Sequence, residues 1–191
     1  MIVILDLGEN PGKYSPDKSL IETDWNLDLI GEIEKDLDIL GIRHYRTTDI
    51  SEELDFIGRC KYANHIALEN PKSNCIFISL YLNSAGDSGK WLNSRGWSVW
   101  VNKNASSNSR RLASYLKTHA DLHNLKVKTP LPGQPYWEAG FPILRGTSMP
   151  AVLVKNAYLD NKEDVDFLKT KKGKETLKDI IIGGIKDYFG V

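Results

Sequence analysis

The chain has 191 residues, 41% hydrophobic and 9% aromatic, enough to bury one substantial core and too few for two comfortable domains. Lys plus Arg and Asp plus Glu both number 25, so no net field draws the molecule to nucleic acid or to an anionic membrane surface. Met1 to Leu5 is too short for a signal peptide and lacks a basic lead, and no run approaches the roughly 18 apolar residues of a membrane span. The expectation is one soluble domain over residues 1–191, without membrane insertion. Cys60 and Cys75 show no Cys-x-x-Cys spacing and read as small buried hydrophobes.

The chain opens on Ile2-Val3-Ile4-Leu5, a buried strand that runs into a Gly, Asn and Pro loop through Asp17. From Trp25 to Leu40, apolar residues at Leu29, Ile30, Ile33, Leu37 and Leu40 fall at helical steps, with Gly41 as the stop. A strand follows over Ile42 to Arg46. A second helix is predicted to start at an N-cap Ser51, with Glu52 and Glu53 at its positive end, and to run through Leu68. Cys75 to Leu82 is a continuous apolar strand, Asn83 to Ser94 a Gly and Ser loop, and Gly96 to Val101 an alternating strand. A helix from about Ser107 to Leu122 comes next, then a Pro and Gly loop over Pro130 to Pro135. Ala151 to Val154 is a last buried strand, and Leu177, Ile180, Ile181, Gly184, Ile185 and Tyr188 mark a closing helix. Such alternation implies an α/β protein with a mostly parallel sheet covered on both faces and its site at the carboxyl ends of the strands.

An ordered set of segments resembles the type 3 N-acetylmuramoyl-L-alanine amidases, zinc enzymes that cleave the bond between the lactyl group of peptidoglycan and the stem peptide. The carrying residues are Ile4 to Gly8 with Pro11 to Asp17, Leu20 to Asn26, Arg59 with Ala63-Asn64, and Phe77 to Gly86. They continue with Arg95 to Trp100, Met149 to Asn156, and Asp160 to Asp164. The resemblance implies a twisted mixed sheet of about six strands flanked by helices.

It also implies a site with several parts exchanged. Family zinc needs three protein ligands, an open position for water and a nearby base. The first His of the family follows an Asp-x-Gly turn, and here Asp6-Leu7-Gly8 is followed by Glu9. The second ligand, a Glu before the first long helix, matches Glu22. The third, a His at the end of a central strand, is replaced by Tyr81 within Ser79-Leu80-Tyr81-Leu82-Asn83. The family base is a Glu, and Lys155, followed by Asn156, stands in its place. The expected binding residues are therefore Glu9, Glu22, Tyr81, Asn83, Lys155 and Asn156, with no catalytic set and no zinc.

Of the four histidines, His119 and His123 are spaced to share a metal, but they continue the Leu112 and Leu116 stripe, and His44 and His65 read as structural or surface residues. Trp91, Trp97, Trp100, Tyr136 and Trp137 form a candidate aromatic cluster for sugar or peptide stacking, with core packing as the simpler reading. Lys169, Lys171, Lys172 and Lys174 read as a solvated loop before the last helix.

The function expected is that of an inactive amidase homologue serving as a binding or structural module, with peptidoglycan fragments or a protein assembly as partner and possible release or incorporation into a virion. An active peptidoglycan amidase with a rebuilt zinc site is the alternative. A small-molecule enzyme using Glu9, Glu22 and Lys155 for proton transfer is a third.

Overall fold

The computed structural model describes residues 1–8, 13–47, 55–71, 74–86 and 89–191. Among them six strands, β1 (Ile2–Leu7), β2 (Arg43–Arg46), β3 (Cys75–Asn83), β4 (Ser98–Val101), β5 (Trp137–Glu138) and β6 (Ala151–Tyr158), form one sheet in the order β2-β1-β3-β6-β4-β5. β2, β1, β3 and β6 are parallel, β4 is antiparallel to β6, and β5 is parallel to β4. Helices α1 (Glu22–Ile39), α2 (Phe56–Glu69), α3 (Ser107–Leu122), α4 (Pro142–Gly146), α5 (Lys162–Leu168) and α6 (Lys171–Phe189) cover both faces. This is the mostly parallel α/β sheet that the alternation predicts, mixed and six-stranded as the resemblance implies.

Side chains alternate across the strands, so β1, β3, β4 and β6 each feed two cores. Val3, Leu5, Ile76, Ile78, Leu80, Val152 and Val154 pack under α1, α3 and α6. Ile2, Ile4, Cys75, Phe77, Ala151 and Leu153 pack under α2 and α4, with Cys60 beside them. Both cysteines are free and buried.

Several boundaries differ from expectation. The cap expected at Ser51, with Glu52 and Glu53, lies outside the described residues. α2 begins at Phe56 and is capped by Asp55, whose carboxylate accepts the Gly58 N–H at 2.8 Å. β6 continues to Tyr158, because Lys155 stays in the ladder opposite Tyr81 and, past an irregularity, Tyr158 pairs with Asn83. The two-residue β5 and the short α4 and α5 lack enough periodicity to be read from sequence. Lys171, Lys172 and Lys174 are not in a loop; they form the opening of α6, where Lys174 pairs with Asp28 and Thr170 caps the helix.

α3 and α6 approach through a glycine pair. A Cβ on Gly184 would stand 2.5 Å from Leu116 Cδ2 and 3.2 Å from its Cα, while one on Gly183 would meet the His119 ring at 2.3 Å. Leu116 is buried with nowhere to go, whereas the partly exposed His119 can turn aside at the cost of its 2.9 Å contact with Asp187. Alanine gains about 1 kcal/mol over glycine in a helix, and overpacking a filled core costs about 1–3 kcal/mol. Chemical denaturation should therefore find Gly184→Ala destabilised by about 1–2 kcal/mol and Gly183→Ala near neutral.

Candidate functional site

Along the face covered by α2 and α4, the apolar residues give way to polar ones at the carboxyl ends of the strands. In β1 the series is Ile2, Ile4, Asp6; in β3 it is Cys75, Phe77, Ser79, Tyr81; in β6 it is Ala151, Leu153, Lys155. The parallel register sets Asp6 beside Ser79 and Tyr81 beside Lys155.

Asp6 is 0% exposed. Its carboxylate accepts hydrogen bonds from Thr47 Oγ1 at 2.7 Å, from Arg59 Nη1 at 3.1 Å to each oxygen, and from Ser79 Oγ. The same Arg59 nitrogen donates to the Leu7 carbonyl at 2.6 Å, tying α2 to the end of β1. Burial pushes the Asp6 carboxyl above its ordinary range, and Arg59, Ser79 and Thr47 pull it back.

Above this pair lie Tyr81 and Lys155. Burial, with Asp6 adding to it, raises the Tyr81 phenol above its ordinary value against the opposing pull of Arg59, so the hydroxyl is neutral at physiological pH. The Tyr81 ring rests on Gly8, where a Cβ would come within 2.4 Å of both the ring and the Leu80 carbonyl. Lys155 Nζ donates to Asn83 Oδ1 at 3.1 Å and sits 5.1 Å from the Trp100 ring centre and 5.5 Å from that of Phe141. Trp100 in turn stacks on Trp137 at 5.1 Å. Burial, and after it the nearby Lys13, lower the Lys155 pKa, with Glu22 acting in the other direction.

Glu22 opens α1 and is 0% exposed. Pairing of β1 with β3 stops at Leu7 and Leu80, so β3 projects beyond its neighbour, and Glu22 Oε1 accepts the Leu82 N–H there at 2.7 Å. Lys155 and Glu22, both among the expected binding residues, form no salt bridge with each other. Among the described residues, Lys155 ion-pairs with no carboxylate. The extended β6 carries the ammonium to the Asn83 amide and the aromatic rings, while Glu22 is committed to the β3 backbone.

The structure thus gathers Tyr81, Asn83 and Lys155, with Glu22 at their edge. Glu9 lies outside the described residues. Asn156, 2% exposed, points to the opposite face of β6, as its neighbour in a strand must, and neither amide atom has a hydrogen-bond partner. The aromatic cluster divides: Trp97 is buried under the α3 side of the sheet, Trp91 is exposed beside Lys162, and Trp100 with Trp137 flanks Lys155. His44 contacts Asp38 and Glu34, His65 contacts Glu69, and His123 caps α3. Asp160 and Asp164, quoted for the resemblance, hold backbone N–H groups: Ala85 and Gly86 for the first, Gly96 and Tyr158 for the second. Sequence reasoning missed Thr47, Phe141 and Lys13; only the turn from apolar to polar along one strand face signals where such partners are needed. A separate groove of about 780 Å³ lies between α1 and the start of α6, lined by Trp25, Asp28 and Lys174, and includes none of the gathered residues.

The family model for N-acetylmuramoyl-L-alanine amidase, Amidase_3, matches residues 3–187. The chain belongs to that family. It is 26% identical over 186 residues to the probable cell wall amidase LytH of Staphylococcus aureus, covering 95% of this chain and 55% of the relative. The chain thus spans about half the length of that curated relative. The solved catalytic domain of CwlV, an N-acetylmuramoyl-L-alanine amidase of Bacillus (Paenibacillus) polymyxa, superposes with a TM-score of 0.79 at 24% identity, covering 100% of this chain and 98% of the other. The CwlD amidase of Clostridioides difficile, solved in complex with the GerS lipoprotein, gives 0.78 at 20% identity over 99% and 98% of the two chains. At these identities the structural matches speak for the amidase fold. No helix among the described residues is long and apolar enough to cross a membrane.

The buried pair beneath the site yields a stability test. Truncating one partner of a buried ion pair leaves an uncompensated charge and costs about 3–5 kcal/mol, more than replacing both with apolar groups. Urea unfolding should show Asp6→Ala destabilised by about that amount, and the double variant Asp6→Ala/Arg59→Leu less destabilised than the sum of the two singles.

Proposed function

We propose that this chain is an amidase homologue that has kept the family fold and given up its hydrolytic chemistry, and that it acts as a binding module for peptidoglycan fragments. The observation that carries the reading is Lys155: an ammonium held by Asn83 and two aromatic rings stands where the resemblance places a carboxylate base. An ammonium donates hydrogen bonds and cannot accept a proton from water. It also opposes the approach of a dication.

The donor chemistry of the neighbouring residues points the same way. Zinc hydrolases hold their metal with imidazole, thiolate or carboxylate ligands and keep one position open. Here Tyr81 offers a neutral phenol, Glu22 is buried with one oxygen on the Leu82 N–H, and all four histidines sit on other parts of the fold. Among the described residues no three His, Cys, Asp or Glu side chains converge as a metal set. These residues do not fit a catalytic zinc. Family membership supports peptidoglycan as the ligand, and the Trp100, Trp137 and Phe141 rings supply faces on which sugar or peptide groups stack.

Purified sacculi test both halves of the reading. The protein should be retained on them in a pelleting assay yet release no stem peptide, with or without added zinc. Stem-peptide release that a chelator stops and zinc restores would establish instead an active amidase with a rebuilt metal site. Failure to pellet with sacculi would remove peptidoglycan as the ligand.

A further inference from the structure

We infer that Lys155 anchors a carboxylate-binding subsite, bordered by Tyr81, Lys13 and the Trp100 and Phe141 rings, which takes an acidic peptide of peptidoglycan by its carboxylate. The inference rests on the preceding reading for the identity of the peptide, while its chemistry stands on the geometry alone.

An ammonium has three donors and no acceptor. One donor of Lys155 goes to Asn83 Oδ1, a neutral oxygen that the Ser84 N–H already shares at 3.1 Å. The rings of Trp100 and Phe141 attract the charge without neutralising it. Among the described residues no carboxylate pairs with Lys155, and the nearest acidic influence, Glu22, is turned to the β3 backbone. Lys13 adds a second positive charge nearby, and the downward shift of the Lys155 pKa reflects burial and that repulsion together. Among the described residues this half-buried cation has no ion-paired carboxylate, and a ligand that supplies one lowers the cost of its burial. Lys155 also remains partly open to solvent.

The surroundings select the anion. An ammonium set against two aromatic rings suits a carboxylate whose attached alkyl groups lie against those rings. A phosphate is ordinarily met by an arginine fork, several lysines or a helix N-terminus. The Arg59 guanidinium, the obvious fork here, is already engaged with Asp6 and the Leu7 carbonyl. Tyr81, a neutral hydroxyl, stands in register with Lys155 on the neighbouring strand.

The test is calorimetry on the intact chain with two probes that differ in one group, N-acetylmuramoyl-L-alanyl-D-isoglutamine and its amide, which lacks the free carboxylate. The acid should bind roughly 10 to 100-fold more tightly than the amide, the range for a hydrogen bond to a charged partner. Lys155→Met, which keeps an unbranched stem against the rings, should abolish that preference, and Lys155→Arg should restore part of it. Equal affinity of acid and amide for the natural protein, a comparison that needs no variant, overturns the inference. N-acetyl-D-alanine and its amide form a second pair without the sugar. Should that pair be discriminated while neither muropeptide binds, the subsite stands and the peptidoglycan reading falls. Tighter binding of inorganic phosphate than of either carboxylate also overturns it.

Discussion

The arrangement at the carboxyl end of the sheet depends on a carboxylate that has no access to water. Asp6 is buried, and four hydrogen bonds from three side chains on separate elements make that tolerable: Thr47 after β2, Arg59 on α2 and Ser79 on β3. The constraint works in both directions. Arg59 is drawn from its helix into the sheet to meet the charge, and its bond to the Leu7 carbonyl fixes where β1 ends. That end determines how far β3 projects, and hence where Tyr81, Asn83 and Glu22 stand. A charge pair this deep adds less to net stability than its geometry suggests, since desolvation offsets much of the attraction. It sets the positions of the elements around it.

On that platform two residues have functions different from those their sequence positions first suggest. Glu22, the one ligand-type residue retained in the resemblance, takes the place of a strand neighbour by accepting a backbone N–H beyond the reach of β1. Lys155 gives one hydrogen bond to an amide oxygen and lies against two aromatic rings, which leave its charge unneutralised. Each is a local solution to a buried polar group, and together they leave a positively charged, ring-lined end to the sheet.

Much of this architecture is legible in the sequence. Apolar runs at Ile2 to Leu5 and Cys75 to Leu82 mark the central strands because a parallel sheet buried on both faces requires near-continuous apolarity. The three-and-four spacing of Leu29, Ile30, Ile33 and Leu37 marks α1, and Ser106 before α3 and Gly190 after α6 behave as helix ends commonly do. The shorter elements were hidden. Trp137 and Glu138 form a strand only because β4 offers an edge, and Pro142 to Gly146 turn helical against Cys60 and Ala63, contacts that no local pattern announces. The site is legible as residue types and opaque as partners. Asp6, Arg59 and Ser79 stand out in chain order, yet nothing local says that Thr47 completes their set, or that Asn83 rather than Glu22 receives Lys155. Those pairings follow from the register of β1, β3 and β6, a tertiary property.

The strand order bears on how the chain is made as well as on how it stands. β6 is the last in chain order of the six described strands, yet it lies between β3 and β4, pairing with Phe77 to Asn83 on one side and with Ser98 to Trp100 on the other. A nascent chain that has emerged only through α3 leaves the edges of β3 and β4 facing a central gap, with apolar residues such as Ile78 and Val99 lacking part of their cover. The sheet closes only when residues 151–158 leave the ribosome and wedge into that gap. Until then, the β3 and β4 edges that β6 pairs in the finished sheet have no partner.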